Sequence, residues 1–378
     1  MRIVFWLLLV FSVLWPSGVA RAHIGVQPLS LNRLLAKADL VVVGRVVSTD
    51  RIYRRPDLAF QQPYIEIKVL EEIKGRSIHR RIDFFGHGHG IARYRPGEEA
   101  LFFFAEIARH PSWKGSPLAE RFIYFSDQEV RDKFVLTAEN RGAWIGAAKR
   151  YLEVQSMPPS AEVGARLRAI TLDLIGSGEK KLALQALHDV LAVPNVYAVF
   201  SEDEIDRLKR LAETSAVHLR IRILLCQQLG AAPGFPVYDK VMSLYGEAAE
   251  VVDKVAAIRA LSRCRDARLV GFLKGLLGDA DPSIRRAAID GLGRPGLGEA
   301  VRLLADLLAD PDPPLHAALT GALGRIGTEE AFAALRRLSR RHPNKTVRQY
   351  ARAELRRKER GSAGSATSQP ASAPAFRR

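Results

Sequence analysis

The chain alternates apolar and polar residues in its first half and spaces them for helices in its second. Residues 63–75, PYIEIKVLEEIKG, put Tyr64, Glu66, Lys68 and Leu70 on one side and Ile65, Ile67 and Val69 on the other. This period of two predicts a half-buried strand. Further strand runs are ADLVVVGRVVS (38–48), IHRRIDFF (78–85), PGEEALFFFAEIA (96–108), RFIYF (121–125) and KFVLT (133–137). Short strands joined by short turns predict a small barrel or sandwich. Phe102, Phe103, Phe104, Phe122, Tyr124 and Phe125 are its expected core.

The second half repeats itself. DPSIRRAAIDGLG (281–293) is echoed by DPPLHAALTGALG (312–324), by NKTVRQYARAEL (344–355) and, upstream, by EVVDKVAAIRAL (250–261) and HLRIRILLCQQLG (218–230). The matching leucines are Leu229, Leu261, Leu292, Leu323 and Leu355, which recur at a nearly constant interval. A sustained period of roughly 31 residues predicts stacked helical hairpins, because one hairpin cannot bury its apolar face alone. Asp281-Pro282 is a helix start with proline in the first turn, and Gly293 is a helix end. Ile284, Ala287, Ala288 and Leu292 share one face, and the helix ahead of the 312–324 phrase (299–310) supplies leucines for stacking between neighbours.

Two resemblances follow from these phrases. The first-half set AKADLVVVGRVVS, IEIKVLEEIKGRS and RPGEEALFFF resembles the OB-like barrel of netrin and metalloproteinase-inhibitor modules, over roughly residues 34–108. The inhibitors reach a protease zinc through an N-terminal cysteine, which is missing here, so the resemblance implies the fold alone. The second-half repeat resembles the short form of the HEAT family over about residues 215–357. That resemblance implies a curved solenoid used for protein–protein contact. Some relatives are di-iron hydroxylases with His-Glu pairs; no histidine here precedes a glutamate. The fold expected is multidomain, a small all-β OB-like barrel followed by an all-α HEAT-type solenoid.

The N-terminus refines the organisation. Ile3 to Trp15 is an apolar run after Arg2, ended by Pro16 and Gly18 and followed by Ala20-Arg21-Ala22. It is shorter than the roughly 20 residues a membrane-spanning helix needs, and it has the form of a cleaved secretory signal. The expected divisions are 1–22 signal peptide, 23–140 β-domain, 141–160 linker, 161–214 divergent or capping helices, 215–358 HEAT-type repeats and 359–378 a disordered tail rich in Gly, Ser, Ala and Pro. No later segment is apolar enough to cross a membrane, so an exported protein, periplasmic or extracellular, is expected.

Only two cysteines are present, Cys226 and Cys264, so burial of apolar area must hold the fold. In the repeat register Cys226 aligns with Ile258, and Cys264 lies six residues further along, about 9 Å of helical rise. A disulfide needs Cα atoms within about 7 Å, so none is expected between them.

Charge and candidate chemistry come last. The net charge is +16, or +14 once Arg2 and Arg21 are removed with the signal. Outside the cytoplasm this favours an acidic protein, anionic lipid or polysaccharide as partner over nucleic acid. Residues 336–360 hold eleven Lys and Arg against two Glu. Arg341, Arg348, Arg352 and Arg356 are the candidate partner-binding residues, as a docking face or as the polar cap of a terminal repeat. FFGHGHG (84–90) places His87 and His89 among glycines, where they are metal-ligand candidates or solvated turn residues. After signal cleavage His23 would be the first residue and add an α-amine and a ring nitrogen to such a site. No catalytic triad, phosphate-binding loop or paired-carboxylate motif appears, and no cofactor is expected. The favoured expectation is a non-enzymatic exported interaction module with an unknown protein partner. The alternatives are a metal-binding β-domain and an adaptor for anionic envelope components.

Overall fold

The structure is a computed structural model that describes residues 29–55, 60–86, 94–109, 119, 122–126, 133–230, 235–264, 266–294, 297–308 and 313–366. His23, His87, His89 and the segment read as a signal peptide lie outside the described residues. Two units divide the chain between Pro194 and Asn195.

The first unit starts with α1 (Leu31–Lys37), capped by the Ser30 hydroxyl. Six strands follow among the described residues: β1 (Leu40–Arg55), β2 (Phe60–Lys74), β3 (Arg81–Gly86), β4 (Glu99–Glu106), β5 (Tyr124–Ser126) and β6 (Lys133–Val135). Pairing runs β1–β2–β3–β5–β4 and returns from β4 to β1; β3–β5 is the parallel pair, and β6 adds to β4. The period-two pattern sorts the side chains. Leu40, Val42, Val46, Ile65, Ile67, Ile82, Phe84, Phe102, Phe104 and Tyr124 form one buried cluster. Phe85, Phe122 and Phe125 form a second with Ile107. All six expected core aromatics are buried. Gly44 matters here, since a Cβ would lie 2.8 Å from the Ile67 side chain.

Residues 141–155, expected to be a linker, form helix α2 (Arg141–Gln155). Its Trp144 is buried and stacks on Phe134 of β6 at 4.3 Å between ring centres. Glu71 of β2 pairs with Arg141 and Lys149 of α2, both at 3.0 Å. The Lys149 bond, and both charges, hold the Glu71 carboxyl below its ordinary value. This link is therefore complete at neutral pH and weakens as pH falls through the acid range. Helices α3 (Ala161–Ile175) and α4 (Lys180–Leu191) complete the unit. Asp189 of α4 accepts a 2.5 Å hydrogen bond from Ser30, tying α4 to the start of α1. So the residues read as one block of capping helices, 161–214, are divided, and 161–194 fall in the first unit.

The second unit holds five helix pairs among the described residues: α5 (Glu202–Glu213) with α6 (Leu219–Leu229), α7 (Val237–Glu247) with α8 (Val251–Leu261), α9 (Arg268–Gly275) with α10 (Pro282–Leu292), α11 (Ala300–Leu307) with α12 (Pro313–Ile326), and α13 (Glu329–Arg341) with α14 (Lys345–Ala366). The second helix of each pair packs on the second helix of the next. Leu229, Leu261, Leu292 and Leu323 are fully buried along that layer. Helix α14 runs to Ala366, beyond residue 359 where the tail was expected to start.

A basic residue recurs seven positions before the repeated leucine: Arg222, Lys254, Arg285 and Arg348, with His316 in the fourth unit. Arg285 turns back to donate to the Asp279 and Ala280 carbonyls at 2.8 and 3.0 Å. Arg348 does the same to His342 and Pro343 at 2.6 and 2.7 Å, and Arg222 donates to the Ala212 carbonyl at 3.1 Å. The cation satisfies carbonyls left open ahead of its own helix. Replacing Arg285 by Met keeps the aliphatic stem and removes these charged hydrogen bonds. The expected loss is about 1.5–3 kcal/mol of stability, read from the urea midpoint.

Cys226 is fully buried in α6, and both cysteines are free thiols. Burial pushes the Cys226 thiol up to about 11 and raises Cys264 as well. Since the thiolate is the reactive form, alkylation of the folded protein at neutral pH is expected to be slow at both, and slowest at Cys226. Mass spectrometry after brief labelling checks this; full labelling of both should require denaturant.

Candidate functional site

The basic end is built by α13, α14 and the turn between them. The hydrophobic face of α14 is set by Val347 and Ala351, both fully buried, so the residues on its opposite side face water. Several cations have local partners. Arg336 and Lys358 both pair with Glu329, and Lys358 also sits 3.7 Å above the Phe332 ring. Arg357 lies 3.9 Å from Glu354.

The four candidate arginines do not form one group. Arg348 is half-buried, and its guanidinium is spent on the His342 and Pro343 carbonyls, so it belongs to the repeat framework and not to a docking face. Arg341 ends α13, where a cation is favoured by the helix dipole. Arg352 and Arg356, one turn apart on α14, are exposed. Arg337, Arg340, Arg341, Lys345, Arg352 and Arg356 are six exposed cations that have no ion pair among the described residues. Tyr350 adds an aromatic ring that is 39% exposed. Arginine and tyrosine are the residue types that most often anchor protein interfaces. Sequence spacing had no means of setting Arg348 apart from its neighbours, whereas its recurrence at the Arg285 register did carry that signal.

A second cluster escaped the sequence reading. Glu66 of β2 lies on the outer side of the sheet, where alternation predicts exposure, yet it is only 3% exposed. Arg51 of β1 pairs with its Oε2 at 2.9 Å, and Arg81 of β3 donates to its Oε1 at 2.6 Å. Arg51 also bonds Tyr64, and that bond together with the Glu66 charge raises its pKa. The partners come from the strands on either side of β2, and only the strand register brings them to Glu66. Among the described residues no group of three or more His, Cys, Asp or Glu is arranged to hold a metal, and no helix is long and apolar enough to cross a membrane.

No curated protein matches the sequence. The family model for HEAT repeats matches residues 239–320 and 271–356, which covers α7 to α14 in two overlapping spans. The matched span begins after α6, although α6 carries the same buried leucine and the same back-turned arginine. The second unit is thus a HEAT-type helical solenoid in a chain whose first unit is built around a β-sheet.

Proposed function

We propose that this chain is a non-enzymatic, exported interaction module whose HEAT-type array holds an acidic protein partner, with the terminal hairpin α13–α14 as the principal contact. The observation that carries this reading is the one-sided charge of that hairpin. A terminal repeat needs a polar outer face, but capping accounts for polarity without selecting one sign. Opposite potentials speed encounter and reject partners of the same sign. In this reading the first unit is an OB-like barrel; the return of the pairing from β4 to β1 and the parallel β3–β5 pair support that assignment.

The test is a pull-down from an envelope fraction with the wild-type protein and with Arg341→Glu/Arg352→Glu/Arg356→Glu. The wild type should retain an acidic protein that added salt releases, and the variant should lose it. Equal capture by both would overturn the reading. A second reading, an adaptor for anionic envelope components, rests on the same cations. Co-sedimentation with anionic vesicles, lost in the same variant and without any captured protein, would favour it instead.

A further inference from the structure

We propose that the cleft over β1, β2 and β3 is a binding site for a small carboxylate that carries an apolar group. The cleft encloses about 300 Å³ and is lined by Arg51, Glu66, Ile78, Arg81 and Ile123 among others. That volume lies at the small end of ligand sites, which run from about 300 to 1,000 Å³.

Glu66 is the organising group. It is buried, accepts a hydrogen bond from Arg81 on Oε1 and forms an ion pair with Arg51 through Oε2, which holds both guanidiniums over the cleft. Arg51 and Arg81 are 49% and 64% exposed, so each guanidinium remains open to solvent. A guanidinium has five N–H donors in a fixed fork, and few are used by Glu66. Donors fixed in advance lose little side-chain freedom on binding. A ligand approaching from solvent meets the exposed guanidiniums first, while Glu66 lines the cleft and is 3% exposed.

The charge balance narrows the ligand further. Arg51 and Arg81 are offset by Glu66 and by Asp83, which also lines the cleft; His79 is at the rim. The site is close to neutral, which suits a monoanion held by hydrogen bonds better than a multiply charged phosphate. Ile78 and Ile123, 71% and 43% exposed, supply the apolar contact. They are among the few large apolar side chains on the described surface, and both line this cleft.

The test is isothermal titration of the full chain with N-acetyl-L-isoleucine, its amide, and inorganic phosphate. The acid is expected to bind saturably and the amide at least about tenfold more weakly; phosphate should not compete. Arg81→Met should abolish binding of the acid. Because that change leaves Glu66 with one partner and can weaken the fold, Ile78→Ser is the parallel variant. Its side chain is mostly in water, so the melting temperature should hold while affinity falls about threefold or more. The proposal is overturned by any of these results: no saturable binding of the acid, equal binding of acid and amide, competition by phosphate, or unchanged affinity in both variants.

Discussion

Replacing Trp144 by alanine is expected to remove about 3–5 kcal/mol of stability, the cost of deleting a large buried aromatic side chain. Trp144 is 1% exposed and stacks on Phe134, which meets Phe103 of β4 edge-on at 5.6 Å between ring centres. Three aromatic rings from α2, β6 and β4 thus form one column. Truncation empties the α2 end of that column and leaves the Glu71 pairs with Arg141 and Lys149 to hold the helix on the sheet. Urea unfolding followed by circular dichroism measures the effect. A loss below about 1 kcal/mol, the scale of an ordinary surface change, would mean that residues 141–155 behave as the linker their sequence suggested.

Gly293→Val is expected to destabilise the helical array by about 3 kcal/mol, the upper end of overpacking costs. A Cβ at Gly293 would lie 2.7 Å from both Cα and Cβ of the fully buried Ala322 on α12. Backbone cannot swing away as a side-chain tip can, so α10 and α12 would have to separate. Gly271 in α9 is the internal control. A Cβ there meets nothing within 4 Å, so Gly271→Ala should stabilise by about 0.5–1 kcal/mol through lost chain freedom in the unfolded state. Thermal unfolding of the two variants side by side separates the two effects. Glycine follows the repeated leucine at Gly230, Gly293 and Gly324, which makes close approach between successive repeats a property of the unit.

The sequence made the strands legible because one face of each is apolar, and the array legible because its leucines recur at a fixed period. Helix α2 was harder to see. Trp144, Ala148 and Tyr151 are spaced for one helical face, but Gly142 and Gly146 interrupt the run and Pro158-Pro159 follows it. Glycine and proline read locally as loop signals, while burial against the sheet is a long-range gain. Glu66 was opaque for a related reason. Alternation assigns it to water, and its burial depends on Arg51 and Arg81 arriving from two other strands. Of the charged hairpin, the sign and density were visible in sequence. Which cations are already occupied was not, because Glu329 draws together Arg336 from α13 and Lys358 from α14.

In the proposed function the terminal hairpin of the array, and not the β-domain, meets a partner protein. A photo-activated cross-linking residue at position 350, beside Arg352 and Arg356, tests it most directly, with position 68 on the exposed side of β2 as the comparison. One dominant cross-linked protein of acidic character is expected from position 350, absent from position 68 and lost when Arg341, Arg352 and Arg356 are changed to Glu. The same adduct from both positions, or one from position 350 that survives the charge reversal, would contradict it.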